Sequence, residues 1–249
     1  MGKIRLDKLL VSRDLAPTIQ KAQALILAKA VKVNEVCLDK ADTLVPDDAE
    51  IKLKGADNPY VSRGGLKLKG ALDEFALNVE GLVALDVGAS TGGFTDCLLQ
   101  AGAKNVYALD VGYGQLAWKL RQDERVVVIE RTNIRHYDGA DIEEQPDLAT
   151  VDVSFISLKV VLPAILPLLK DEALILALIK PQFEAAREEV GKKGVIEDQS
   201  VHERVVEEIC EFYRSVNLEN LRTCASSILG PAGNKEFFIL AQKKKHYGN

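Results

Sequence analysis

The sequence predicts an α/β fold: a Rossmann-like, mostly parallel sheet with one antiparallel strand, preceded by a small N-terminal α+β unit. Three observations predict it. Residues Leu85 to Asp96 read L-D-V-G-A-S-T-G-G-F-T-D, an apolar strand that ends at an acid, turns on glycines and resumes as the apolar run Phe94 to Leu99. Beyond that loop, short apolar runs suited to buried strands alternate with longer runs of helical period. Ahead of it, the pattern is that of two short amphipathic helices and alternating strands. The expected division is a small unit at residues 1–54, a linker at 55–61 and a large unit at 62–249.

With 249 residues, 47% apolar and 28% charged, the chain has an ordinary globular composition and length for a large core plus a small one. Such a composition excludes a disordered chain. The longest apolar stretch, Val160 to Leu169, contains two prolines and stops at Lys170-Asp171-Glu172, too short to span a bilayer. Asp7, Lys8 and Arg13 leave no room for a secretory apolar region. Cys37, Cys97, Cys210 and Cys224 are dispersed, as are His136, His202 and His246. Reduced thiols, a cytoplasmic setting and no metal are therefore expected.

The net charge is −5, yet residues 1–32 hold seven basic side chains against Asp7 and Asp14, a local +5. A basic face of this kind suits nucleic-acid phosphates, and it also suits plain solvation. Arg5 to Arg13 and Pro17 to Ala30 read as helices, with Leu6, Leu9, Leu10, Ala22, Leu25 and Ile26 on one face and Pro17 in a tolerated first turn. Val31, Val33 and Val36 then alternate as a strand around Asn34, and Glu50 to Lys54 alternates again. Gly55 to Pro59 is turn-rich and reads as a linker. Immediately after it, Y-V-S-R-G-G-L-K-L-K places Arg63, Lys67 and Lys69, with Lys54 further back, where Gly64-Gly65 opens a helix carrying Leu66, Ala71, Leu72 and Phe75.

The glycine loop defines a ligand. Gly88, Gly92 and Gly93 allow positive φ and close approach. Val106 to Leu109 ends at Asp110, 22 residues past Gly88, where an acid can accept hydrogen bonds from a ribose diol. A dinucleotide wants glycine at the third loop position, which here is Ser90, and its pyrophosphate would be repelled by Asp86. S-adenosylmethionine, with an ammonium and a sulfonium, fits better. The candidate cofactor-binding set is Asp86, Gly88, Ser90, Thr91, Gly92, Gly93, Phe94, Asp110 and Asn133.

Val126 to Ile129, Leu148 to Val151 and Ala173 to Ile179 read as buried strands, and Ser157 to Leu169 and Gln199 to Val216 as helices. Leu221 to Leu229 and Phe237 to Ala241 read as a hairpin that sets an antiparallel strand in the sheet. This is the build of S-adenosylmethionine-dependent methyltransferases. Ligands in such sheets sit at the carboxyl ends of the strands, where Asp152 in V-D-V-S-F-I-S-L and Lys180 in L-I-K-P-Q-F-E also fall.

Two resemblances add to this reading. R-L-D-K-L-L, an alanine-rich helix and V-K-V-N resemble, over Ile4 to Lys54, the small RNA-binding domain first described in a ribosomal small-subunit protein, although Glu35 replaces the usual glycine. That resemblance implies RNA contacts by Arg5, Lys8, Arg13 and Lys21, and Arg63 is added from the basic helix start. Across essentially the whole chain, S-R-G-G-x-K, D-V-G-A-S-T-G-G-F-T-D, V-D-V-S-F-I-S-L, I-K-P-Q-F-E and G-N-K-E-F-F resemble the TlyA family, often labelled hemolysin A. Its catalytic domain is similar to the FtsJ-type ribose methyltransferases. The resemblance implies 2′-O-methylation of cytidine in ribosomal RNA or ribosomal subunits, and a Lys-Asp-Lys-Glu tetrad at Lys67, Asp152, Lys180 and Glu236. A ribose hydroxyl is a poor nucleophile until a base takes its proton, and the resemblance gives that role to Lys180. Asp152 would orient Lys180, and Lys67 and Glu236 would hold the ribose. The alternatives are a membrane-active hemolysin, for which no suitable apolar segment is visible, and a non-catalytic RNA-binding protein on a methyltransferase scaffold.

Overall fold

The computed structural model describes residues 2–13, 15–16, 18–53 and 58–245. Pro17, Lys54, the linker residues 55–57 and His246 lie outside the described residues. The chain divides into two compact units, Met1–Pro59 and Tyr60–Asn249.

In the first unit, strand β1 (Lys3–Arg5) runs directly into helix α1 (Leu6–Ser12), then α2 (Ile19–Leu27), β2 (Val31–Val33), β3 (Val36–Cys37), β4 (Leu44–Pro46) and β5 (Ile51–Leu53). β1 pairs antiparallel with β4, and β3-β2-β5 make a second antiparallel sheet. α2 starts where the Thr18 hydroxyl accepts the Lys21 N–H, relieving one of the unpaired donors of a helix start. Leu6, Leu9 and Leu10 pack with Ala22, Ile26, Val31, Val33 and Val45, and burying each large apolar side chain contributes about 1.5–3 kcal/mol. The alternation of Val31, Val33 and Val36 predicts one strand. The structure makes two, reversed at Asn34-Glu35 with φ of 46° and 66°, the positive values that a tight hairpin turn demands. Glu35 holds this conformation between the ammonium groups of Lys32 and Lys52.

In the second unit the chain runs through α3 (Gly64–Phe75), β6 (Val83–Val87), α4 (Gly93–Gln100), β7 (Asn105–Leu109), α5 (Trp118–Arg121), β8 (Val126–Ile129), β9 (Leu148–Val151), α6 (Leu158–Ile165), β10 (Leu174–Ile179), α7 (Pro181–Glu184), α8 (Gln199–Ser215), β11 (Leu218–Ala225) and β12 (Phe237–Lys243). These strands form one seven-stranded sheet in the order β11-β12-β10-β9-β6-β7-β8. β6 to β10 are parallel, and β12 runs antiparallel to both of its neighbours. The expected single antiparallel strand is therefore β12. The helix expected over Ser157 to Leu169 ends at Ile165 and finishes as a tighter turn over Leu166–Leu168, since Pro167 has no N–H to continue it.

Alternation along β6 explains the layering. Val83, Leu85 and Val87 belong to a core with α6 and α8 residues such as Leu162, Ile165, Val205 and Ile209. Ala84 faces the opposite core with Leu68 and Leu72 of α3 and Leu98 of α4. Both faces are covered, as a parallel sheet requires. From β6 the chain first steps out to β7 and β8, then returns to β9 on the other side of β6. The strand order reverses there, and a crevice opens at the carboxyl ends of β6 and β9.

Candidate active site

The loop after β6 sits in that crevice. Gly88 adopts φ 87°, and a Cβ there would stand 2.4 Å from the Asp152 carbonyl oxygen. Gly93 opens α4, and a Cβ on it would stand 2.8 Å from the Gly65 nitrogen of α3. These glycines admit neighbouring protein backbone, whereas the sequence alone suggests room for a ligand. Their effect is to press the loop onto β9 and α4 onto α3, which brings three strand ends and a helix start around one space.

Two cavities meet over the loop. One, of about 530 Å³, is lined by Arg63, Lys67, Gly88, Ser90, Gly93, Phe94, Asp152, Lys180 and Glu236 among others. The second, of about 480 Å³, is lined by Gly88, Ser90, Asp110, Asn133 and Arg135 among others. Gly88, Ser90, Asp152, Ser154 and Phe155 belong to both, so one extended ligand can pass over Gly88 from one into the other.

Asp110 faces the second cavity. Its carboxylate accepts the Ser90 N–H at 2.8 Å and the Gly112 N–H at 2.6 Å. A carboxylate has about four lone-pair positions, so it can brace the loop and still accept from a ligand diol. The Asn133 amide oxygen accepts the Arg135 N–H at 3.1 Å, which starts a short helical turn at the cavity wall.

Asp86 is a correction. It is fully buried and lines neither cavity; Thr95 and Thr150 donate their hydroxyls to its two oxygens at 2.7 and 3.0 Å. Burial pushes its pKa up to about 6, against the pull of those hydroxyls. It ties β6 to β9 and α4 and touches no ligand space. Thr91 and Gly92 also line neither cavity. The Thr91 carbonyl accepts the Ala117 N–H at 3.0 Å, and Gly92, at φ 99°, lies against the Leu116 and Leu120 side chains.

Four charged residues converge on the first cavity from α3, the ends of β9 and β10, and the approach to β12. The Lys67 ammonium donates to Glu236 at 2.5 Å, with the two side chains only 7% and 1% exposed. Gly230 makes room for this pair, since a Cβ there would stand 2.4 Å from a Glu236 oxygen. The Lys180 ammonium lies 2.5 Å from Asp152 and donates to the Ser154 hydroxyl at 3.0 Å. These side chains are more open, at 11% and 21%. The Lys180–Asp152 contact is off the hydrogen-bond direction, so Asp152 Oδ1 is buried with no hydrogen-bond partner among the described residues. That oxygen is charge-paired with Lys180 all the same, and the pair lines the cavity.

The residues expected to bind RNA divide. Arg5 directs its guanidinium at buried Asp7, at 3.1 and 2.7 Å, and holds that carboxyl down at about 2. Arg13 donates to the Ala49 and Asp47 carbonyls at 2.7 and 2.5 Å. Both arginines brace their own unit. Lys8 and Lys21 are exposed. In the second unit, Arg63 is exposed and donates to the Leu229 carbonyl at 3.1 Å. Lys69 pairs with Asp73, and buried Lys67 adds no surface charge. Tyr60 and Val61, expected in the linker, belong to the second unit, where the Val61 N–H donates to Asp96 at 2.8 Å. Residues outside the predicted set also line the first cavity: Ser154, Phe155, Gln182, Phe183 and Lys193. Phe155 is 89% exposed at φ 63°, and a large apolar residue just past a strand's carboxyl end was the available signal for it.

A sheet with this strand order, a glycine turn after the central strand and an acid closing the next defines the class of S-adenosylmethionine-dependent methyltransferases. The FtsJ-like methyltransferase profile matches residues 60–243, and the S4 domain profile matches residues 4–51. The chain belongs to the FtsJ-like methyltransferases, within their TlyA group. It is 51% identical over 238 residues to YqxC of Bacillus subtilis, named as a candidate rRNA methyltransferase, covering 95% of this chain and 85% of that one. It is 43% identical over 238 residues to the 16S/23S rRNA (cytidine-2′-O)-methyltransferase TlyA of Mycobacterium tuberculosis, covering 95% and 89%. Among solved structures, a candidate hemolysin from Streptococcus thermophilus superposes with a TM-score of 0.77 at 44% identity, covering 98% of this chain and 90% of that one.

Proposed function

We propose that this protein transfers a methyl group from S-adenosylmethionine to the 2′-hydroxyl of a cytidine in ribosomal RNA, with Lys180 and Asp152 at the reacting oxygen. The observation that carries this reading is the open Lys180–Asp152–Ser154 cluster, which lines the first cavity beside the glycine loop. The named activity of the Mycobacterium tuberculosis relative supports the choice of ribose and base.

The cofactor fits the residues present. Asp110 would hold the ribose diol, Asn133 would face the adenine side, and Gly88, Ser90, Gly93 and Phe94 would carry the chain across to the first cavity. When bound, S-adenosylmethionine supplies an electrophilic methyl on a sulfonium. Lys180 would take the proton from the 2′-hydroxyl as that oxygen accepts the methyl group. Asp152, its Oδ1 held against Lys180 Nζ, positions the amine. Lys67 and Glu236, turned toward each other, fix the wall against which the ribose rests. Holding the reactants in line supplies much of the acceleration in any such transfer.

The small unit, expected to end near residue 54 before a linker to residue 61, binds RNA phosphates through Lys8 and Lys21. The setting is cytoplasmic, where ribosomal subunits are found. The rival membrane-active reading finds no support in the fold: no helix among the described residues is long and apolar enough to cross a membrane.

The test is Lys180→Ala assayed with labelled S-adenosylmethionine and unmodified ribosomal subunits. Loss of a general base costs about 10²- to 10⁴-fold in rate, and cofactor affinity should stay unchanged. Retained transfer would remove the proposed role.

A further inference from the structure

Gln182 lies two residues past Lys180, on α7, and its Oε1 is buried with no hydrogen-bond partner among the described residues. An amide oxygen shielded from water without a donor is costly and calls for an explanation. The residue lines the same cavity as Lys180 and Asp152. Its support is firm: Glu184 of α7 accepts the Ser157 hydroxyl at 2.5 Å and the Leu158 N–H at 2.8 Å, and the Phe183 N–H is bonded to the Lys180 carbonyl at 2.9 Å. Side chains carried on such anchored backbone hold their aim. Beside it, the Phe183 ring packs 4.8 Å from the ring of exposed Phe155. The cavity thus offers aromatic surface and, in Gln182, an amide acceptor with no donor among the described residues, the features of a site for a flat heterocycle with a donor on its edge.

We propose that Gln182 reads the base of the target nucleotide, its Oε1 accepting a hydrogen bond from an exocyclic amine and so selecting cytosine over uracil. This rests on the proposed ribose methylation. With the 2′-hydroxyl at Lys180, the base of the same nucleotide must lie close by, and two residues of chain span at most about 7 Å. Cytosine presents its N4 amine to the amide oxygen. Uracil presents a carbonyl, which Oε1 cannot bond, and pairing would require the amide to turn over and bring its Nε2 into that place.

The experiment uses the full chain, labelled S-adenosylmethionine and unmodified ribosomal subunits, first to map the methylated nucleotide and then to compare subunits carrying cytidine or uridine there. The wild type should favour cytidine by about 10- to 100-fold in kcat/KM. Gln182→Leu should lower the cytidine rate by a similar factor, erase the preference and leave cofactor affinity within about twofold. Gln182→Glu, which keeps the acceptor, should retain the preference, and it decides the matter should the leucine variant fail to fold. The proposal is overturned if Gln182→Leu keeps the cytidine preference, if Gln182→Glu loses it, or if cofactor affinity falls, which would assign the amide to the cofactor. A wild-type chain that methylates no ribose overturns the proposed function itself, and this inference with it.

Discussion

The carboxylates around the sheet's carboxyl edge fall into two kinds. Glu236 and Asp86 are buried, Glu236 bonded to Lys67 at the wall of the first cavity and Asp86 held by two threonine hydroxyls away from both cavities. Asp152 and Asp110 are more open and line the cavities, Asp152 paired with Lys180 and Asp110 accepting two backbone N–H groups. The difference teaches that a shared motif does not imply a shared task. Sealed acids fix the shape of the crevice, and open ones are free to meet a ligand. The sequence-based assignment of Asp86 to the cofactor misses that distinction.

The sharpest way to break the comparison is to open a sealed pair. Glu236→Ala leaves the Lys67 ammonium buried and alone, and should destabilise the fold by about 3–5 kcal/mol in denaturant titrations. The double change Lys67→Met with Glu236→Leu should recover much of that loss, because a buried pair can be replaced by apolar groups of similar volume. Unchanged stability of the single variant would show that Glu236 is not sealed in solution.

Asp86 gives a pH signature of the same kind. Its folded pKa of about 6 lies above the ordinary value of 3.8, so the folded state holds a proton that the unfolded chain releases. Its contribution to stability is present below about 4, falls as pH rises through 4 to 6, and becomes a constant cost above that window. Asp86→Asn cannot ionise. Its stability relative to the wild type should therefore improve by on the order of 2–3 kcal/mol between pH 4 and pH 7, and a pH-independent difference would place the wild-type carboxyl elsewhere.

Open groups should respond through ligand binding instead. Asp110→Ala should weaken S-adenosylmethionine binding by roughly 1–3 kcal/mol in calorimetry, the cost of lost charged hydrogen bonds, and an unchanged affinity would remove the diol assignment. The smallest effect belongs to the first unit. Lys8→Ala should reduce the salt dependence of RNA binding by about one phosphate contact, a step that a lysine turned to bulk solvent would not produce.

Much of this molecule was legible in its sequence. Val126–Ile129 and Leu148–Val151 were bounded correctly because buried parallel strands are uninterrupted apolar runs, and the acid after each strand marked the crevice. Asp110 and Asp152 stand out for that reason, while Lys180 closes a strand as well and takes its proposed role from the family resemblance. What escaped depends on contacts between distant segments. Nothing local reveals that Thr95 and Thr150 close over Asp86, that Arg13 serves carbonyls 34 and 36 residues away, or that Gln182 is left without a donor. The hairpin at Asn34-Glu35 escaped because glutamate is a poor advertisement for a left-handed turn, and only Lys32 and Lys52, brought beside it by the fold, account for it.

The most direct measurement is a crystal structure of the full chain with S-adenosylhomocysteine and a target RNA fragment. The open pair should meet the substrate, with Lys180 Nζ within about 3.2 Å of the 2′-oxygen and Lys67 still bonded to Glu236. A complex in which Lys67 and Glu236 separate to grip the reacting oxygen, while Lys180 stays out of reach, would contradict the division on which this account rests.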